Sequence, residues 1–262
     1  MEGLLSSSHP WDIVACVRSS ITQANLLRRF AASSSVRVAL SSSHEQIATH
    51  VSPAALVLLA TKRDDATSIL QNKHVQAALG GKLLISVVFG LTEDAMYSQL
   101  DPGSVKPYIL SALPNIAASV RHSATITTTR PSSSNPWPEE ISNLCSLVLS
   151  SIGSIIPVQA HGVNAAATLS GTIPAFLGEA MAGLLGGACD AGLERETATA
   201  IVVQGLRGFA DLLARGEDVD SIIASVATKG GVTEAGLKVL GEGQLRRLMS
   251  DAFMQSRDKL GP

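Results

Sequence analysis

The first 160 residues alternate short, continuously apolar segments with stretches of helical periodicity. Strands are predicted at 12–17, 36–40, 55–60, 82–88, 109–113 and 124–129, with a last short one at 155–158. Helices are predicted at 21–31 and 64–79, after the cap residue Thr92, and at 139–151. Strands that are apolar at every position are typical of a sheet covered on both faces. The alternation therefore predicts an α/β domain built on a parallel sheet.

After a polar, proline-rich break at 130–138, and from about Gly162 onward, the pattern changes to helices alone. Pro174 is placed in the first turn of a helix that Gly192 stops. Further helices are predicted at 195–214, which Gly216 ends, at 219–226, from the cap residue Thr233, and at 244–259. These helices are apolar nearly all round, so about a hundred residues do not cover them. A partner subunit is predicted as the cover.

Composition narrows the classes of protein. Apolar residues make up 45 % of the chain but aromatic residues only 3 %, so the core must consist mainly of Ala, Val, Leu and Ile. The net charge of -2 offers no basic excess for a nucleic acid or an anionic membrane. No apolar run is expected to reach the ~20 residues of a membrane span. The first residues lack the pattern of a secretory signal, so a cytoplasmic protein is predicted.

Cysteine and histidine usage gives no sign of a metal or a disulfide framework. Cys16, Cys145 and Cys189 are scattered and form no CxxC pair, which predicts buried thiols in a reducing compartment. The six histidines show no ligand spacing such as HxxxH, so no metal site is predicted.

Two glycine-containing segments in the last hundred residues are candidate binding loops: 168–176 (TLSGTIPAF) and 228–237 (TKGGVTEAGL). In the second, Gly230 and Gly231 let the backbone approach a ligand closely. A helix that starts at Thr233 would present free N–H groups to a carboxylate. The alternative is an ordinary capped loop in which Thr233 bonds only its own helix. The residues alone leave both interpretations open.

Polar residues also follow several predicted strands, where the ligands of open α/β sheets bind. Arg18 and Ser19 follow the first strand, at the place where a dinucleotide 2′-phosphate is held; the alternative is a solvated strand end. Lys62 and Asn115 follow later strands and are expected to face the same crevice. For Lys62 a solvated lysine is an equal alternative.

Six segments, in the same order along the chain, resemble the pyrroline-5-carboxylate reductase family. They are 12–19 (DIVACVRS), 60–62 (ATK), 85–90 (ISVVFG), 113–115 (LPN), 168–176 and 228–237. The resemblance covers nearly the whole chain. It implies an incomplete Rossmann-like NADP-binding domain at 1–160 and an all-helical dimerisation and substrate domain at 161–262.

The resemblance also implies a chemistry. A cyclic imino acid, 1-pyrroline-5-carboxylate or a ring homologue, would be reduced to proline or pipecolate by hydride from NADPH. Thr233 would hydrogen-bond the ring nitrogen, and Thr228, Gly230, Gly231 and Val232 would hold the carboxylate. Pro174 would pack against the ring, and Arg18, Ser19, Lys62 and Asn115 would contact the cofactor. A homodimer or higher homo-oligomer would form through the C-terminal helices.

Several positions depart from the family pattern. Ile173 replaces a glycine, Thr228 and Lys229 replace Ser-Pro, and Ser111 replaces an arginine. The first strand of the family, with its Gly-x-Gly-x-x-Gly turn for the cofactor pyrophosphate, has no counterpart in residues 1–262. Because that strand is central in the usual order, two neighbours are expected to lack a hydrogen-bonding partner.

Three explanations of that difference are an internal start methionine, a short protein with a re-closed sheet, and a degraded copy. With the first strand in doubt, two functions remain as alternatives to a reductase: a non-redox imine-processing enzyme, and a non-catalytic dimerising homologue that has lost NADPH binding.

Overall fold

The computed structural model of the chain describes residues 1–129 and 136–259. Its strands are β1 Ile13–Val17, β2 Val36–Leu40, β3 Leu56–Leu59, β4 Leu83–Ser86, β5 Tyr108–Leu113, β6 Ser123–Thr128 and β7 Gly153–Val158. Every predicted strand is present, with bounds close to those expected from the apolar runs. Most of the proline-rich break, residues 130–135, lies outside the described residues.

Helices connect the strands and make up the C-terminal part. They are α1 Glu2–Leu5, α2 Ser20–Arg29, α3 His44–Val51, α4 Arg63–Gln71, α5 Lys73–Leu79, α6 Glu93–Tyr97, α7 Glu139–Ser150, α8 Val163–Asp190, α9 Arg195–Ala214, α10 Val219–Val226, α11 Val232–Glu242 and α12 Leu245–Asp258. The single helix predicted at 64–79 was wrong: Asn72 divides it. The Asn72 Oδ1 accepts hydrogen bonds from the N–H groups of His74 and Val75 and so starts α5 anew.

The strands form two sheets, β1-β2 and β3-β4-β5-β6-β7. All pairs are parallel except β5 and β6, which are antiparallel. The predicted parallel sheet is therefore confirmed for the other pairs, and β5 with β6 is the exception. Only a 3₁₀ turn, Ile116–Val120, joins the two strands. A parallel return needs a crossover of a dozen or more residues, so this link permits only an antiparallel partner.

The expected gap in strand pairing lies between β1 and β3. The Ile13 N–H donates to the Ser35 carbonyl at 2.8 Å, and the Val17 carbonyl accepts from the Ser41 N–H at 2.8 Å. Along a parallel strand, successive residues point their N–H and C=O groups to opposite sides. Ile13 and Val17 point theirs toward β2, so those of Cys16, the residue before Val17, point away from β2. Among the described strands, β1 has only β2 as a neighbour and β3 has only β4.

The five-stranded sheet is covered on both faces, as its apolar strands predict. On one face Leu84 and Ile109 pack in a cluster with Leu70 and Leu79 from α4 and α5. On the other face Leu83, Ile85, Leu110 and Ala112 pack with Leu149 from α7. The largest fully buried side chains are mostly aliphatic and include no aromatic residue, which agrees with the low aromatic content. This sheet and its helices belong to a compact unit, Met1–Gly171.

The second compact unit, Thr172–Pro262, consists of helices. Among its described residues only Ala198 and Ile222 bury a hydrophobic side chain. Large apolar side chains are exposed on all its helices, including Leu184 on α8, Ile201 on α9 and Leu248 on α12. By itself this unit has almost no core, as the sequence predicted.

Helix α8 corrects two predictions. It runs from Val163 through the whole of 168–176, so this segment is not a turn, and Pro174 lies inside the helix instead of in its first turn. The alanines at 165–167 favour helix upstream of the proline. Among the described residues, α8 is also the one helix whose length and composition would allow it to cross a membrane. The expectation that no apolar run reaches such a length was wrong at this helix.

Candidate functional site

The carboxyl ends of the strands bring together the residues predicted to contact a cofactor. Arg18 follows β1, and its guanidinium forms two parallel hydrogen bonds with the Asp65 carboxylate, each 2.6 Å long. Asp65 lies in the first turn of α4, which follows β3. The ion pair therefore spans the ends of β1 and β3. The Arg18 side chain remains 67 % exposed, so it can reach a ligand from this position.

Ser19 and Lys62 occupy cap positions at the same edge. Ser19 is the N-cap of α2, where its Oγ accepts from the Thr22 N–H at 3.1 Å. Lys62 is the N-cap residue of α4 and makes no side-chain cap contact. Both residues are exposed. They are therefore accessible, and the two helix starts point N–H groups at the same sheet edge.

Asn115 also lies at this edge, after β5, but its side chain is engaged within the protein. Its Oδ1 accepts from the Ala117 N–H at 3.0 Å and starts the 3₁₀ turn. Its Nδ2 donates to the Ser170 carbonyl in α8 at 3.0 Å.

Two charged residues that the sequence did not single out complete this edge. Asp65 holds Arg18, as described above. The Arg63 guanidinium lies within 3.9 Å of the position that a Cβ on Gly90 would take, just beyond β4. The Arg63 side chain thus adds a second cation between the ends of β3 and β4. A signal was present, since both residues follow Lys62 within three positions in the sequence.

The candidate substrate loop, residues 228–233, forms a tight turn ahead of α11. The Gly231 N–H donates to the Thr228 carbonyl at 2.9 Å, and Gly230 has φ of +72°, which favours glycine. A Cβ on Gly231 would lie 2.4 Å from the Thr228 hydroxyl oxygen, so no larger residue fits there. Thr228 and Val232 are exposed. The two glycines are therefore required by the turn itself.

The N-cap of helix α11 lies two residues earlier than predicted. It is Gly231, without a side-chain cap bond, and Thr233 lies in the first turn instead of at the cap. The first intrahelical bond runs from the Ala235 N–H to the Gly231 carbonyl at 3.2 Å. The Val232 and Thr233 N–H groups precede it and so have no intrahelical acceptor. They are the donors that the turn offers to an anion.

Glu234 is the residue at this loop that the sequence analysis did not identify. Its Oε2 accepts from the Gly230 N–H at 2.7 Å, across the start of the helix. A glutamate in the third helical position commonly reaches back in this way, which was the available signal. The Gly230 N–H is therefore already engaged by a carboxylate of the protein itself.

An open depression of about 520 Å³ adjoins the turn. It is lined by Gly230, Gly231, Glu234, Ala235, Leu237 and Lys238. The Lys238 ammonium, 4.0 Å from the Glu242 carboxylate, is exposed and adds a positive charge. The depression thus combines a helix start, a cation and an apolar wall. Pro174, the other predicted substrate contact, lies on a different helix, α8.

None of the three cysteines forms a disulfide. The prediction that they are buried was wrong, because Cys16 is exposed and Cys145 and Cys189 are only half-buried. Partial burial of the thiol nevertheless raises the pKa of Cys16, with a smaller opposing effect from the Ser41 hydroxyl.

Comparison with solved structures defines the fold class. The chain is similar to a Plasmodium falciparum pyrroline carboxylate reductase with NADP bound: the TM-score is 0.78 at 20 % identity, over 99 % of this chain and 90 % of that chain. A 1-pyrroline-5-carboxylate reductase from Streptococcus pyogenes gives a TM-score of 0.76 at 21 % identity, over 99 % of this chain and 92 % of that chain. The architecture is that of a Rossmann-like α/β domain followed by a helical domain.

Sequence comparison identifies the family. The profile described as pyrroline-5-carboxylate reductase dimerisation matches residues 161–261. A pyrroline-5-carboxylate reductase from Lophium arboricola is 30 % identical over 95 % of this chain and 78 % of its own length. A second, from an Acremonium species, is 31 % identical over 79 % of this chain and 66 % of its own length. The chain belongs to the pyrroline-5-carboxylate reductase family.

Proposed function

We propose that the protein reduces 1-pyrroline-5-carboxylate to proline with hydride from NADPH. The supporting observation is the turn at 228–233, which lines an open depression and offers amide donors to an anion beside Lys238. Because the chain belongs to the pyrroline-5-carboxylate reductase family, we take this anion to be the carboxylate of the substrate. The departures at Thr228, Lys229 and Ile173 concern the substrate side, so a six-membered ring homologue, reduced to pipecolate, is the first alternative substrate to compare.

The substrate carboxylate binds at the start of α11. The N–H groups of Val232 and Thr233 donate to it, and the Thr228 hydroxyl, held next to Gly231, adds a third donor. The Thr233 hydroxyl hydrogen-bonds the ring nitrogen. Pro174 gives the ring an apolar contact. These groups position the substrate, and no strong general base is needed because a protonated imine is already electrophilic.

The cofactor side is the carboxyl edge of the sheet. The cations of Arg18 and Lys62 and the Ser19 hydroxyl suit the 2′-phosphate of NADPH, and Asn115 shares this edge. Arg18 is already oriented by Asp65, so the guanidinium is presented without first having to be ordered. When bound, the nicotinamide supplies the hydride; the protein residues hold both reactants in place.

A second candidate is a homologue without NADPH binding, either a non-redox imine-processing enzyme or a non-catalytic dimerising protein. The observation that bears on it is the side between β1 and β3, where each of these described strands has only one neighbour. A fluorescence titration with NADPH separates the two: saturable binding supports the reductase, and no binding at millimolar concentration contradicts it.

The protein is a homo-oligomer, because its helical part matches a dimerisation profile. We place the subunit contact on the exposed apolar faces of α8, α9 and α12. We propose boundaries of 1–160 and 161–262 for the two functional domains, a cytoplasmic location, and no role for a nucleic acid or a membrane.

The test of the proposed site is Gly231→Ala. The added Cβ would meet the Thr228 hydroxyl and carbonyl oxygens at 2.4 and 2.9 Å, so the turn must shift. A shift of about 1 Å in a positioning group costs on the order of 100-fold in rate. We expect kcat/KM for NADPH oxidation with 1-pyrroline-5-carboxylate to fall by about this factor while the helical content is unchanged.

The matched control is Gly236→Ala in the same helix, where a Cβ meets nothing within 4 Å. This variant should retain the activity of the parent chain. A parent chain that binds NADPH but consumes none with this substrate would contradict the reductase proposal, and a fully active Gly231→Ala would contradict the proposed site.

A further inference from the structure

The hydrogen-bond ladder of α8 is interrupted at Pro174. Proline has no backbone N–H, so the carbonyl four residues earlier loses its usual donor. In α8 that carbonyl belongs to Ser170, a residue only 6 % exposed. A buried carbonyl without a donor costs free energy, so another donor is required.

A side chain at the end of β5 supplies this donor. Asn115 Nδ2 lies 3.0 Å from the Ser170 carbonyl oxygen. The Asn115 Oδ1 accepts from the Ala117 N–H, so the orientation of the amide follows from its two partners. A second contact holds the same turn of α8 to the sheet, because the Ser170 hydroxyl donates to the Ala124 carbonyl at 2.7 Å.

We infer that Asn115 is a positioning residue that replaces the hydrogen bond removed by Pro174 and ties the interrupted turn of α8 to the end of β5. The boundary between the two compact units falls in this turn, between Gly171 and Thr172. Helices bend where proline interrupts the ladder. The bond from Asn115 therefore stabilises the turn of α8 that the proline weakens. The inference rests on the proposed function only in taking Pro174 as part of the substrate site.

A double-mutant cycle on the full chain tests this inference. Asn115→Ser keeps an oxygen that can cap the Ala117 N–H but is too short to reach Ser170. Pro174→Ala restores an N–H that can bond the Ser170 carbonyl within the helix. We expect Asn115→Ser to raise the unfolding constant about 10-fold in the Pro174 chain and less than about 2-fold in the Pro174→Ala chain.

Local hydrogen exchange gives a second readout. In the Pro174 chain, Asn115→Ser should speed amide exchange at Gly171, Thr172 and Ile173, and Pro174→Ala should reverse the change. If Asn115→Ser removed only a cap, amide exchange would speed up equally in the Pro174 chain and in the Pro174→Ala chain. Equal effects in the two backgrounds would overturn the inference.

The matched control is Asn72→Ser. Asn72 caps α5 through its Oδ1, with the His74 N–H at 3.0 Å and the Val75 N–H at 3.2 Å, and contacts no helix interruption. Its effect on unfolding should not depend on residue 174. If it does depend on residue 174, the cycle reports a general change in stability and the inference fails. Neither readout uses catalysis, so failure of the reductase assay would leave this result standing.

Discussion

The two compact units differ in how they bury apolar surface. The unit Met1–Gly171 contains clusters on both faces of its five-stranded sheet, with side chains such as Leu84 and Ile85 almost completely buried. The unit Thr172–Pro262 is just as apolar, yet among its described residues only Ala198 and Ile222 bury a hydrophobic side chain. Helices of this kind become stable by packing. The first unit thus packs against itself, whereas the second leaves most of its apolar side chains exposed, on the faces where we place the subunit contact.

The largest expected effect is in the sheet. Leu84→Ala removes a side chain that is 1 % exposed in β4, which has a neighbouring strand on each side. Such truncations cost about 2–5 kcal/mol through lost burial and the cavity left behind. Denaturant unfolding should show this loss at any protein concentration. A smaller loss that grows on dilution would mean that the first unit also depends on the partner.

The helical unit should respond to a charge on its exposed face. Ile201→Glu, at a site 60 % exposed in the single chain, should weaken subunit association by about 2–4 kcal/mol. Light scattering over a dilution series would measure this. Ile21→Glu, on α2 of the first unit and 74 % exposed, is the control and should leave association unchanged. If the two variants weakened subunit association equally, the subunit contact would not be confined to the helical unit.

The smallest expected effect is at the open edge of the first unit. The Cys16 N–H points away from β2, whereas the neighbouring Val17 N–H points toward it. We expect the Cys16 amide to exchange with solvent faster than the Val17 amide by about 10-fold or more, since exchange reports local protection. Strand β4, which has partners on both sides, supplies slow amides such as that of Ile85 for comparison. Slow exchange at Cys16 would show that this edge is covered.

The candidate site was predictable in part. The turn at 228–233 could be located from its paired glycines, because their conformation is a local requirement. Glu234 was missed because its bond to the Gly230 N–H depends on how α11 begins. The role of Asn115 also escaped the sequence analysis, since its partner Ser170 is distant in the chain and meets it only in the folded protein.

The sequence by itself determined the strands, most of the helices, the change from α/β to all-helical structure, and the resemblance to the family. These features follow from local periodicity and from short motifs, which need no knowledge of distant residues. Only the tertiary structure decided that β6 runs antiparallel to β5 and that α8 continues through Pro174. The first follows from the short link between β5 and β6, and the second is supported by the bond from Asn115 to the carbonyl that the proline leaves without a donor.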